Sequence, residues 1–195
     1  MINQLTLIQR CSVFLFLQLI SLLCYSEKIT TYELFLQQHS GDQFSVGKLR
    51  LLQATGSDTL TFQLHIDYEN FQDYFLSMKE MKCLTGPELW CHIPYPYQSP
   101  ASVTQGDLRW LEHRLLFMYK DPQTFGARLW NGIYYKLEFQ GDEIRGNAHY
   151  VDLNQLASPP EDLNNPPVDR EELLEAEPDK RWLPYLLLRP EDPGN

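Results

Sequence analysis

The chain has 195 residues, a formal charge of −10 and an aromatic content of 13 %. That length suits one domain with an appendage, and the aromatic side chains give its core bulky material. An acidic surface repels phosphate backbones and anionic lipid headgroups, which argues against nucleic-acid binding and peripheral membrane attachment.

Residues 1–26 are read as a secretory signal peptide. Met1 to Arg10 carries one positive charge and no acid, and Cys11 to Cys24 is an apolar run broken strongly only by Gln18. Cys24 and Ser26 stand at the small-residue positions that a signal peptidase reads, so cleavage is expected after Ser26. As a helix the run rises about 21 Å, short of a hydrocarbon core about 30 Å thick, so no integral span is expected after cleavage. A competing reading makes Cys24 the lipid-modified first residue of a lipoprotein, but the large Leu23 before it departs from the usual signal. Export would place the protein in a periplasm or outside the cell. Loss of Arg10 with the leader takes the charge from −10 to −11.

The mature chain then opens on strand-like patterning from Tyr32 to about Asp67. Leu60, Phe62, Leu64 and Ile66 alternate with polar residues, and Gly47 to Ala54 is set off from them by Thr55-Gly56-Ser57-Asp58, which predicts an antiparallel hairpin. Phe71, Tyr74, Phe75 and Met78 recur at helical spacing, predicting a short amphipathic helix over Glu69 to Lys79.

Removal of the leader leaves two cysteines, Cys83 and Cys91, bracketing a Gly86-Pro87 turn signal. An even count in an exported chain reads as a disulfide, worth about 2.5 kcal/mol for so short a loop. Neither the C-x-x-C of a redox pair nor the ligand set of structural zinc is present. From Cys83 to Pro100 the chain is rich in turns and aromatics, and Pro94, Pro96 and Pro100 exclude regular helix. Trp90, His92, Tyr95 and Tyr97 in this loop form the candidate binding set, since rigid aromatics make good contact surfaces for sugars, peptides or proteins. The plainer reading is that these rings, with Trp110, Trp130, Tyr134 and Tyr135, fill the core.

Thr104 and Asp107 signal a helix start, and Leu108, Leu111, Leu115 and Met118 supply an apolar stripe, predicting the main helix over residues 105–119. Asp121-Pro122 ends it and starts a brief second one closing at Asn131-Gly132. The strongest predicted hairpin joins IYYKLEFQ to EIRGNAHYVDL through Gly141-Asp142. Beyond Ala157 lie eight of the 13 prolines and ten of the 26 acids, which predicts an acidic, Pro-rich tail, partly disordered or docked, with Trp182 to Leu188 apolar enough to dock.

The expected fold is α+β: one domain over residues 27–157 with a curved or barrel-like antiparallel sheet of at least four strands and one main amphipathic helix, followed by the tail over 158–195. No nucleophile elbow, phosphate loop or dinucleotide fingerprint is present, and no cofactor, catalytic set or metal site is assigned. Glu112 with His113, and His149 with Asp152, are the metal-ligand candidates, but His149 and Asp152, three apart at a strand end, point to opposite faces. The leading expectation is a non-enzymatic periplasmic or secreted binding module whose aromatic loop meets an envelope polysaccharide, a peptide or another exported protein. A hydrolase drawing on His92, His113, His149, Glu112 and Asp152 is the alternative, and a structural protein docking through its tail is the third.

Overall fold

A computed structural model describes residues 27–76, 79–124 and 126–191; the leader expected over residues 1–26 lies outside them. The first part of the chain makes a meander. Strand β1 (Glu27–Gln37) pairs antiparallel with β2 (Gln43–Ala54), and β2 with β3 (Thr59–Ile66), the last pair being the predicted hairpin. In these strands one set of alternate residues is buried, including Leu34, Leu36, Leu49, Leu51, Leu60 and Phe62, as period-two patterning requires. The β1–β2 ladder shifts by one residue where Leu34 faces Gly47 and Phe35 faces Ser45, leaving the buried Val46 as the extra residue. Gly47 at that bulge has φ +151°, and a Cβ there would lie 2.1 Å from the His65 carbonyl oxygen, so only glycine fits between β2 and β3.

The middle of the chain continues the sheet. Strand β4 (Gln72–Leu76) pairs with β5 (Lys79–Thr85), and β5 with β6 (Leu89–Ile93) through a turn at Gly86. Cys83 and Cys91 face each other across β5 and β6 and form the expected disulfide, with Cα atoms 3.9 Å apart and both residues buried. Strand β7 (Ser102–Thr104) pairs with β3, and a single helical turn, α1 (Arg109–Glu112), precedes β8 (Leu116–Lys120). The Gly141-Asp142 hairpin consists of β9 (Gly132–Gln140) and β10 (Glu143–Val151). The C-terminal region adds β11 (Leu174–Glu175) beside β10 and β12 (Tyr185–Pro190) between β10 and β1.

The described residues thus form one antiparallel sheet of 12 strands, ordered β4-β5-β6-β8-β9-β10-β12-β1-β2-β3-β7 with β11 on β10. The fold is all-β, and the α+β expectation with a main helix is corrected. Leu116 to Met118 of β8 are the reason: all three are buried, as is Leu115 just before them, and a strand covered on both faces reads as a continuous apolar run that helical spacing also fits. The segment expected as a helix from Glu69 is likewise β4, with Leu76 buried and Phe75 75 % exposed on the opposite face; Met78 lies outside the described residues. After Asp121 the chain turns, and where the second helix was expected the described residues hold a 3-10 turn over Leu129–Asn131.

The segment expected as a Pro-rich tail, partly disordered or docked, contributes a strand to the sheet. Leu186 and Leu188 of β12 sit opposite Gly146 and Ile144 on one side and Leu36 and Leu34 on the other, in the middle of the sheet. Side chains of the body bind the Pro-rich stretch that leads to it: Trp110 Nε1 donates to the Leu163 carbonyl at 2.9 Å, and the Tyr135 hydroxyl to the Leu183 carbonyl at 2.7 Å. Glu88 accepts from the Trp182 backbone N–H at 3.0 Å and pairs with Arg181 at 2.7 Å, while the Arg181 guanidinium lies 4.0 Å over the Tyr119 ring. Proline and acid content foretold poor self-burial, but these partners supply the contacts from outside the segment.

Candidate functional site

Six strands separate β3 from β6 in the sheet, yet Phe62, Leu64 and Ile66 of β3 line the same cavity as His92 of β6. The sheet therefore curls until its two ends face one another, and the cavity, about 540 Å³, lies along that seam. The Pro-rich loop after β6 crosses the gap: Pro94, Tyr95 and Ala101 complete the lining, and the Ala101 carbonyl accepts from the Phe62 N–H of β3 at 2.8 Å. Tyr68, Arg114 and the exposed His65 make up the rest of the wall.

His92 is held on both ring nitrogens. A carbonyl can only accept, so Nε2–H donates to the Arg114 carbonyl at 3.1 Å, and Nδ1 then accepts the Tyr68 hydroxyl at 2.7 Å. Burial lowers the pKa of this histidine, outweighing the carbonyl contact, and keeps the imidazole neutral, as that arrangement requires. His92 therefore ties β6 to the segment after α1 and sets Arg114 at the cavity wall.

Tyr95 stands in an aromatic cluster. Its ring meets Tyr97, Trp110 and His113 edge to face, at centroid distances of 5.9, 5.9 and 5.8 Å, and it is 5 % exposed. Its hydroxyl is buried with no hydrogen-bond partner, as is Arg114 Nε. Burial raises the Tyr95 pKa, as Tyr97 does, while the nearby Arg114 guanidinium acts in the opposite sense. Arg114 forms no ion pair among the described residues.

Behind this cluster sits a second polar group. The Glu112 carboxylate, fully enclosed, accepts from the Tyr134 hydroxyl, from the Leu137 N–H at 2.7 Å and from Arg170 at 2.7 Å. Burial raises its pKa against the opposing effects of Tyr134 and Arg170. His113 donates from Nδ1 to the Arg109 carbonyl at 2.7 Å and accepts the Val168 N–H at 3.4 Å, and burial pulls its pKa down to about 4. Every polar atom of Glu112 and His113 is thus spent on holding α1, β9 and residues 168–170 together.

Of the four loop residues singled out in the sequence, His92 and Tyr95 line the cavity and two do not. Trp90 is fully buried, its indole N–H donating to the Tyr135 hydroxyl at 3.1 Å, and Tyr97 meets the Tyr95 ring edge-on and donates to the Ala157 carbonyl at 2.5 Å. His149 Nδ1 meets the Asn147 carbonyl at 2.9 Å, and Asp152 caps the 3-10 turn Leu153–Leu156 through the Asn154 N–H. The proposed catalytic candidates thus have separate partners, and among the described residues no three His, Cys, Asp or Glu side chains gather to hold a metal. Sequence reasoning missed Arg114, Tyr68 and the β3 wall. Period two showed that Phe62, Leu64 and Ile66 share a face, but nothing in the sequence said that β6 stands opposite it. Among the described residues no helix is long and apolar enough to cross a membrane.

No protein-family model, curated protein or solved structure matches this chain.

Proposed function

We propose that the protein is an exported, non-enzymatic binding module that takes a small, largely apolar molecule into the cavity between β3 and β6. The carrying observation is the seam itself: a concavity of about 540 Å³ walled by Phe62, Leu64 and Ile66, with a few polar groups at its other side. Ligand sites are commonly of this size and make-up, and the mouths of curled sheets are common places for them. His92 lends the wall shape rather than a proton, since both of its nitrogens are engaged. A disaccharide or peptide on the loop aromatics is less well supported, because Trp90 is enclosed in the core.

Nile red, an uncharged reporter, tests the cavity directly. Leu64 is half-buried on the wall, and Leu64→Trp puts an indole into the space. The expected result is a dye signal reduced at least ~10-fold with the melting temperature nearly unchanged. Equal dye binding by both proteins would overturn the reading.

The export reading rests on residues 1–26 and is supported by the Cys83–Cys91 disulfide, a bond that persists in oxidising compartments. Intact mass of the recovered protein distinguishes a chain starting at Glu27 from one lipidated at Cys24.

A further inference from the structure

We infer that the seam cavity contains an anion subsite built on Arg114 and Tyr95, and that its ligand is a monocarboxylate with an apolar body. This inference rests on the cavity being a binding site and names the chemistry that site takes.

Arg114 and Tyr95 both line the cavity, and each carries a buried polar atom with nothing to bond to, Nε on one and the hydroxyl on the other. Buried polar groups in folded proteins nearly always have partners, so two donors left open on one cavity mark where an acceptor belongs. The charge is equally out of place. In a chain with 26 acids and 16 basic residues, acidic partners are plentiful, yet Arg114 pairs with none among the described residues. A guanidinium beside an aliphatic wall recognises an oxyanion by charge-assisted hydrogen bonds, and the tyrosine hydroxyl adds a neutral donor.

The lining also limits the charge of that anion. Arg114 is the one Arg or Lys on the cavity; of the two histidines that line it, His92 is neutral with both nitrogens engaged, and His65 stands at the solvent-exposed rim. A dianion would keep one charge uncompensated inside an acidic protein. On the opposite wall Phe62, Leu64 and Ile66 offer only hydrocarbon, which suits an alkyl or aryl body.

Calorimetric titration of the protein, expressed with its own leader and purified, compares octanoate, 1-octanol and octyl phosphate at about pH 8, where a simple carboxylic acid is ionised. Octanoate is expected to bind roughly 10- to 100-fold tighter than the alcohol of the same length, and tighter than the phosphate dianion. In Arg114→Gln the preference for octanoate over octanol should vanish while octanol affinity stays the same, and Tyr95→Phe should shrink it several-fold. Equal binding of octanoate and octanol by the unaltered protein, or a preference that survives Arg114→Gln, overturns the anion subsite and leaves the cavity reading standing. Phosphate binding as tight as carboxylate overturns the monoanion. If none of the three binds, both readings fall.

Discussion

Around residues 109–114 fully partnered polar groups adjoin open ones, and substitutions there are expected to act in opposite directions. Glu112 is enclosed and engaged by Tyr134, Leu137 and Arg170, so Glu112→Ala strands the Arg170 guanidinium, itself largely buried, and should cost about 3–5 kcal/mol in urea denaturation. Tyr95→Phe removes a hydroxyl that bonds nothing, and Arg114→Gln removes an unpaired charge, so both should leave the urea midpoint unchanged or raise it. His113 adds a pH dependence. Its pKa is about 4 when folded against about 6.5 when free, so the unfolded chain binds more protons between those values. Its contribution is therefore complete above about pH 6.5 and is lost as the pH falls towards 4, by about 3 kcal/mol. His92, also lowered by burial, acts in the same direction. Stability measured from pH 7 to 4 should fall less steeply in His113→Gln than in the unaltered protein.

The β5–β6 hairpin shows how a single element ties distant parts of the chain together. Its disulfide joins directly opposed residues, and the Cys83→Ser, Cys91→Ser double variant should lose about 2.5 kcal/mol of stability to chemical denaturation. The turn is also where the C-terminal region docks. A Cβ on Gly86 would fall 2.3 Å from the Trp182 indole, whose ring packs edge-on against Phe44 at 5.4 Å. Gly86→Ala must push that indole aside and should cost about 1–3 kcal/mol, read from the melting temperature.

In the molecule as a whole, β12 decides whether the sheet exists. It bonds β10 on one edge and β1 on the other, so residues near the two ends of the described chain meet at its centre. Deletion from Ser158 onward removes that strand and the Trp182, Leu183 and Leu186 side chains from the core. The truncated protein should show no cooperative thermal transition by circular dichroism; a sharp transition would mean that the remaining strands close without β12. Pairing Leu34 with Leu188 also demands a contact of very long sequence separation, which places folding in the slow regime of non-local sheets.

Local patterning in the sequence determined the two hairpins, since alternating residues with a Gly- or Asp-containing turn between them settle strand, partner and register without reference to the rest of the chain. It also marked Cys83 and Cys91 for each other, with a turn signal between them. Leu115 to Met118 was ambiguous for a physical reason: burial on both faces erases the periodicity that separates strand from helix. Only the tertiary structure made Trp182 to Leu188 a core segment, because the groups that hold it belong to Glu88, Tyr135 and the strands on either side. His92 and Tyr95 stood out in the sequence as aromatic-loop residues, but the cavity they line depends on β3 coming round to face β6. Arg114 acquires its meaning only there, since whether a charge is paired or open is a property of its neighbours in space.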